Sequence, residues 1–491
     1  MTAKQSLFIS TAALALLVSP PLTRAQAQTV DSRFGKLEFQ NGYPTETTTK
    51  RLFDEMDFQR AVQAYLWAVP AVSFESFRQG MKRDLGVDYN DFAIWDNFVD
   101  PKGLLYTANN STIYALSNVD LGRDGPIVIE IPPGATVGMI DDFWQRSATG
   151  VGNTGPDKGQ GGKFLLLPPD YKGDIPAQGY HVVRATMSNN NFLIRGLIVN
   201  NDVKGAVDRL RQLRLYPWSE RNSPKPNKFI SASGKVVDTL FPGDFAFWER
   251  LHSFISNNPV HERDRFFMAM LKPLGIEKGK PFSPDARQRA ILTEAAKVGY
   301  AMGKAMLYEG GTRIAGANMW PGTHWEWAIN FDPTQEAENY SQLDERLNWF
   351  YGATYMTPAM ALKKAGPGSQ YVQTFKDKDG AWLDGANSYR LRVPVNAPAQ
   401  DFWSLTVYDN ETRSMLQNAK NDASVSSYGD LKKNADGSID IVFAPSAPAG
   451  MEKNWIQTVP GKGFFVWFRA YHPTEPFFDK SWQLPDIVKG N

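Results

Sequence analysis

The sequence predicts an α+β chain, mainly β, in which two related β-sandwiches are separated by a helical insert and preceded by a helix. Three observations carry this. Two stretches show short apolar runs closed by proline, glycine or asparagine, the texture of all-β domains. A helical period of apolar residues precedes the first stretch and fills the gap between the two. Three landmarks of the first stretch return in the same order in the second.

The chain has 491 residues, 42% of them hydrophobic and 13% aromatic, enough for sizeable cores. At roughly 150 residues per domain its length suggests about three domains. Lys4, the apolar run Leu7 to Val18, the break at Ser19-Pro20-Pro21 and the small-x-small Ala25-Gln26-Ala27 read together as a secretory signal peptide with cleavage after Ala27. The run is shorter than the ~20 residues that span a bilayer, so the mature chain is expected to be periplasmic or secreted. With no cysteine, it must be held by its cores.

Residues Leu52 to Met81 read as a helix with Phe58, Val62, Tyr65, Leu66 and Val69 on one face, broken or kinked at Pro70. From about residue 104 to 200 come strands such as Ile127–Ile131 and Phe164–Leu167. The insert is mainly helical, and its clearest helix opens at Ser283-Pro284-Asp285, with Ser283 as N-cap. It should present Ile291, Ala295, Val298, Met302 and Met306 on one face and stop near Tyr308, before Gly310-Gly311. Strands return from about Trp382, with Tyr389, Leu391 and Val393 alternating with arginines. The expected divisions are a signal peptide at 1–27, helix plus first sandwich at 50–200, the insert at 201–350 and the second sandwich at 351–491.

The landmarks are these. Ile131-Pro132 followed by Asp142-Phe143-Trp144 matches Val393-Pro394 followed by Asp401-Phe402-Trp403. Phe164 to Pro168 matches Ile441 to Pro445. Gly179 to Arg184 matches Gly463 to Arg469. On this alignment Asp142 is the equivalent of Asp401, and Arg184 of Arg469.

Composition and motifs exclude several functions. With 53 basic and 52 acidic residues the net charge is +1, so no basic field draws nucleic acid. Gly150 to Gly155, GVGNTG, has the spacing of a dinucleotide loop. However, Pro156 and the glycine run after it cannot open a helix, so the string is expected to be a mobile loop between strands. Lys158 and Lys163, with Arg146 before them, would then rim an anionic ligand. His261-Glu262 lacks the second histidine of a zinc motif, for Arg265 stands in its place. No G-x-S-x-G occurs.

The chain resembles exported bacterial proteins that combine the domains of unknown function twelve-fifty-four and twelve-fourteen. The resemblance rests on GRDGPIVIEIPPG, DDFWQR and GPDKGQGGKFLLLPPDYKG in the first domain, and on RLRVPVNAPAQDFWSLTVYDNETRSML, NADGSIDIVFAP and NWIQTVPGKGFFVWFRAYHPTEPFFDKSW in the second. It implies that the two sandwiches are jelly-roll-like and antiparallel, and it implies no reaction. A departure lies at Ala108-Asn109-Asn110-Ser111, where the family often carries Pro-Asn followed by Thr or Asp.

Polar and aromatic residues of these strings are the candidate ligand-binding residues: Asn109, Tyr114, Arg146, Lys158, Lys163, Arg413, Asn454, Trp455 and Lys462. The expected function is binding, or acting on, a carbohydrate-like or small organic and anionic ligand. The alternative is a non-catalytic periplasmic binding or envelope-interaction protein. Whether the chain is an enzyme is left open. The expected partner is a small molecule or glycan, without nucleic acid, membrane span, cofactor or metal. The oligomeric state is left open, with a homodimer as one option. Expression in a bacterium with an export pathway should yield a mature chain beginning at Gln28, which N-terminal mass spectrometry of the exported fraction checks; an uncleaved Met1 in that fraction would count against the leader.

Overall fold

A computed structural model describes residues 28–366 and 368–490; the signal-peptide expectation at 1–27 lies outside them. The chain divides into two units at Asp57. In the described part of the first unit, β1 (Gln28–Ser32), β2 (Gly35–Gln40) and β3 (Tyr43–Pro44) form an antiparallel meander. A helix, Glu46–Gly80, begins there. Thr48 Oγ1 accepts the Glu38 N–H at 2.8 Å, tying that helix start to β2.

In the second unit the helix runs on through Pro70 to Gly80, without the expected break. Side-chain donors meet its carbonyls there: Gln145 Nε2 reaches Pro70 at 2.9 Å and an Arg346 amine reaches Trp67 at 2.6 Å.

The first sandwich follows. Its larger sheet holds β4 (Phe92–Ile94), β5 (Ile113–Asp120), β7 (Thr136–Asp142), β8 (Ser147–Gly152), β11 (Asn189–Gly196) and β13 (Phe229–Ser231), in the order β13-β4-β5-β11-β7-β8. The smaller holds β6 (Ile127–Ile131), β9 (Gly162–Leu167), β10 (His181–Arg184) and β12 (Arg214–Pro217), in the order β10-β9-β6-β12. Alternate residues fill the space between them, among them Ile113 and Ala115 from β5, Phe192 and Ile194 from β11, and Ile127 and Ile129 from β6. Two strands, β12 and β13, come from beyond residue 200.

The second sandwich repeats the plan. Its larger sheet runs β14 (Glu326–Trp327), β15 (Ser369–Thr374), β21 (Phe464–Pro473), β17 (Ala399–Asp409) and β18 (Ser424–Ser426). Its smaller sheet runs β20 (Trp455–Gln457), β19 (Ile439–Ala444), β16 (Tyr389–Val393) and β22 (Val488–Lys489). Strand for strand the order matches the first sandwich, β13 aside. The orientations match too, including one parallel pair in each smaller sheet, β9 with β10 and β19 with β20. With β4 and β13 also parallel, three of the four sandwich sheets are mixed, and only the larger sheet of the second sandwich is purely antiparallel.

This correspondence re-registers the sequence landmarks. β6 with β16 and β9 with β19 agree with them. Arg184 lies on β10, the counterpart of β20, so it is not the equivalent of Arg469 on β21. That strand corresponds to β11, which carries Arg195. Likewise β7 and β17 end on Asp142 and Asp409, whereas Asp401 sits near the start of β17. Asp142-x-x-x-Arg146 is therefore the counterpart of Asp409-x-x-x-Arg413, and the two DFW strings sit at different places on their strands.

GVGNTG differs from its expectation as well. Gly150 to Gly152 belong to β8, paired with β7. The following turn is bound down: Asn153 N–H donates to Thr136 at 2.7 Å and Gly134 N–H to Gly159 at 2.9 Å. A Cβ on Gly152 would fall 2.3 Å from the Thr136 carbonyl oxygen, so the glycine serves close strand packing.

In the insert, the helix Ala286–Glu309 is capped by Asp285 rather than Ser283. Asp285 accepts the Gln288 N–H at 2.7 Å and the Gln288 side chain accepts the Asp285 N–H at 3.0 Å, a reciprocal capping box. Its buried face is Leu292, Ala295, Ala296, Gly299, Gly303, Met306 and Leu307, while Met302 is exposed. The face turns toward the glycines because two tyrosine rings lie against them. A Cβ would sit 2.5 Å from Tyr65 at Gly299 and 2.4 Å from Tyr351 at Gly303. Gly→Ala gains about 1 kcal/mol of helix propensity, but overpacking here costs about 1–3 kcal/mol. Gly299→Ala and Gly303→Ala are each expected to lower the denaturant midpoint; an unchanged or higher midpoint would show that the rings move aside.

Candidate functional site

The larger sheets each bury one face in their own sandwich and turn the other toward a shared cavity. On β11, Phe192 and Ile194 face the sandwich core, while Leu193 and Arg195 face the cavity. On β21, Trp467 and Arg469 line the same cavity. Strand alternation alone fixes this division. The cavity has a volume of about 110 Å³. Its wall is rich in aromatic rings, with Phe77 from the long helix, Trp95, Tyr106, Trp349 and Tyr355 joining Tyr114 of β5 and Tyr371 of β15.

The two arginines hold matching positions. Arg195 stands opposite Tyr114 across β11 and β5, and Arg469 opposite Tyr371 across β21 and β15. Both are buried, with 9% and 2% of their surface exposed. The lining contains no carboxylate, histidine or lysine.

Their environments differ. Arg469 is fully engaged: one terminal nitrogen donates to Thr406 Oγ1 at 3.0 Å, and the other to the Thr107 carbonyl at 2.8 Å and the Tyr408 hydroxyl at 2.5 Å. Arg195 is surrounded by the phenols Tyr114, Tyr371 and Tyr471, of which Tyr371 hydrogen-bonds to its side chain; its buried Nε has no hydrogen-bond partner, and the cavity lining offers it no carboxylate. A guanidinium stays charged under all ordinary conditions. Burying it without a counter-ion costs several kcal/mol.

Of the candidate residues, Asn109 and Tyr114 line this cavity. Asn109 Nδ2 donates to the Tyr471 hydroxyl at 2.5 Å, and its Oδ1 accepts the Ser111 N–H at 2.6 Å. The structure places the others elsewhere. Arg146 pairs with Glu336 at 2.6 Å. Lys158 occupies a left-handed turn position, φ 47°, in the segment after β8. Lys163 on β9 lies 3.3 Å from Glu130. Arg413 is buried among rings, 4.6 Å from the centre of Tyr351 and 5.2 Å from that of Tyr106, and donates to the Tyr300 hydroxyl at 2.8 Å. Asn454 pins two chain segments, donating at 2.8 Å to the carbonyls of Lys432 and Asp440. Trp455 walls an outer groove with Lys420 4.8 Å over its ring. Lys462 pairs with Asp409 at 2.5 Å beside a separate cavity of about 500 Å³.

Arg195 carries no signal in the motifs, yet one was available. In Asn-Phe-Leu-Ile-Arg195-Gly a lone cation ends an apolar strand, as Arg469 interrupts Phe-Val-Trp-Phe-Arg-Ala, and a charge on a strand buried on both faces needs a reason. Among the described residues no group of three or more His, Asp and Glu side chains is placed to hold a metal ion, and no helix is long and apolar enough to cross a membrane.

Asp141 stands two residues from Met139 on the cavity-facing side of β7. Burial pushes its carboxyl up to about 8, with Asp142 adding to the rise against the Met356 N–H it accepts at 3.1 Å. The folded chain thus holds this proton more tightly than the unfolded chain. Its contribution is complete below about pH 4 and falls away as pH rises to about 8, by up to ~1.4 kcal/mol per pH unit. Asp141→Asn removes the titration. Relative to the parent, it is expected to leave the melting temperature unchanged at pH 4 and raise it at pH 8; equal melting curves at both pH values would refute the buried acid.

Comparison with known proteins matches both halves of the second unit. Residues 89–217 match a protein of unknown function (DUF1254), and residues 368–475 a protein of unknown function (DUF1214). No curated protein matches the chain. Among solved structures, the VPA0106 protein from Vibrio parahaemolyticus is similar at 19% identity and a TM-score of 0.56, over 89% of this chain and 100% of that one, which supports the fold. An uncharacterized protein from Burkholderia cenocepacia aligns at 12% identity and a TM-score of 0.42, over 90% of this chain and 96% of that one.

Proposed function

We propose that this chain, which combines a DUF1254 domain with a DUF1214 domain, binds a small organic anion in the cavity between its two sandwiches. The observation that carries the reading is Arg195: a buried cation, its Nε unpartnered, facing a carboxylate-free aromatic wall. An incoming carboxylate supplies the counter-charge that the fold withholds. Because the guanidinium is already desolvated and held on a strand, little reorganisation opposes binding. Charge-assisted hydrogen bonds from arginine to carboxylate are the strong kind.

Size and lining narrow the ligand. A cavity near 150 Å³ accommodates benzene, so one of about 110 Å³ holds only the small acidic end of a ligand, and anything bulkier extends into the larger chamber that Arg195 also lines. Trp349, Tyr371 and Trp467 offer faces and edges for it. Binding is favoured over turnover because the lining offers no carboxylate, histidine or lysine to act as an acid or base. The leader-like first residues support a periplasmic or secreted setting, where such a protein would meet small anions from outside the cell.

Calorimetry on the mature chain tests this with benzoate and its uncharged isostere benzamide. Benzoate is expected to bind and benzamide to bind at least about tenfold more weakly, since a hydrogen bond to a charged group contributes about 1.5–3 kcal/mol. Arg195→Met should abolish the preference for benzoate. The same variant should melt no lower than the parent without ligand, because an apolar side chain replaces a buried charge that has no counter-ion in the cavity lining. Equal binding of benzoate and benzamide, or a preference that survives Arg195→Met, would overturn the proposal.

A further inference from the structure

We infer that the anion taken up is the acidic end of a ligand whose remainder is a neutral saccharide; this rests on the anion-binding reading of the cavity. The first support is continuity. Met139, Arg195 and Met360 line both the inner cavity and an adjoining chamber of about 590 Å³. Ser111, Ile198 and Tyr428 line both that chamber and a groove of about 1210 Å³. The Arg195 guanidinium therefore lines both a small cavity and a much larger neighbouring chamber.

The second support is the groove's chemistry. Five asparagines and five serines line it, an unusual density of groups that both donate and accept. Such amides and hydroxyls match the alternating donors and acceptors of sugar hydroxyls. The charges along the groove are Asp100, Asp422, Asp430 and Glu452 against Lys420 and Lys453. This net negative wall repels a chain bearing a carboxylate on every residue. It admits a neutral chain whose single negative charge lies at Arg195.

The third support is a rigid aromatic platform. Tyr428 is 58% exposed, yet its ring stacks on Phe402 with centroids 4.3 Å apart, and Phe402 stacks on Tyr471 at 4.0 Å. Tyr471 in turn accepts the Asn109 hydrogen bond beside the inner cavity. An exposed ring held this way offers a flat apolar face at low entropic cost, which suits the C–H face of a pyranose. The Asn110 side chain meets Asp422 at 3.2 Å and Ser424 at 2.8 Å, fixing the groove's floor between the two sandwiches.

The experiment is calorimetry of the mature chain with benzoate, glucuronate, cellobiose, glucuronosyl-glucose and trigalacturonate. Glucuronosyl-glucose is expected to bind at least about tenfold more tightly than glucuronate, with cellobiose and trigalacturonate weaker than either. Tyr428→Ala should erase the advantage of the disaccharide while leaving benzoate and glucuronate unchanged, and Tyr428→Phe, which keeps the stack, should retain it. If glucuronate and benzoate bind but the disaccharide gains nothing, or trigalacturonate binds best, the saccharide inference falls and the anion cavity stands. If none of the anions binds, the cavity reading falls with it.

Discussion

The guanidinium of Arg469 is the interaction on which the arrangement of the two sandwiches depends. It lies on a strand of the second sandwich, and burial obliges it to find oxygen atoms at fixed positions. Thr406 and Tyr408 supply two from its own sheet, and the Thr107 carbonyl supplies the third from the chain segment that leads into β5. The same segment is held again by the Arg413 carbonyl, which accepts the Thr107 N–H at 2.8 Å, and by Tyr408, whose hydroxyl donates to the Ala108 carbonyl at 2.8 Å. Thr107 and Arg413 both adopt left-handed backbone conformations, φ 37° and 56°. Two strained residues bonded to each other persist because the surrounding structure over-determines them.

From that clasp the cavity follows. Thr107 to Ser111 crosses between the sandwiches, so Asn109 and Tyr471 meet beside the aromatic wall. The repeated plan then sets a second arginine, Arg195, at the matching position of the first sandwich. The two copies are not bonded alike: Arg469 donates to Thr406, Tyr408 and the Thr107 carbonyl, whereas Arg195 lies among phenols, bonded to Tyr371 and with its Nε unpartnered. A repeated fold thus supplies two equivalent cations in different hydrogen-bonding environments.

Much of this was legible from local pattern. The apolar strands, the long first helix and the return of strands after the insert all follow from periodicity, which backbone geometry enforces within a few residues. Helix ends were read less well. Ser283 and Asp285 are both good caps, and the Gln288 partner selects Asp285. The face of the helix Ala286–Glu309 was mis-set because apolar periodicity gives no weight to Gly299 and Gly303, whereas packing gives them the most. The landmark alignment erred for a similar reason: Asp142-Phe143-Trp144 and Asp401-Phe402-Trp403 are identical in letters but occupy different strand positions, and only hydrogen-bond order distinguishes them.

Of the candidate residues, Asn109 and Tyr114 meet at the cavity, while Lys163, Lys462 and Arg146 found carboxylate partners that no spacing rule foresees. By itself the sequence determined which segments are strands and helices, that two stretches share one plan, and that both families of sheet carry an arginine among apolar neighbours. Tertiary structure alone decided how each arginine is bonded. An ion pair or a hydrogen bond is settled by what lies within about 3 Å in space, and the Thr107 carbonyl, more than 300 residues from Arg469 in the chain, is a partner that Arg469 finds there.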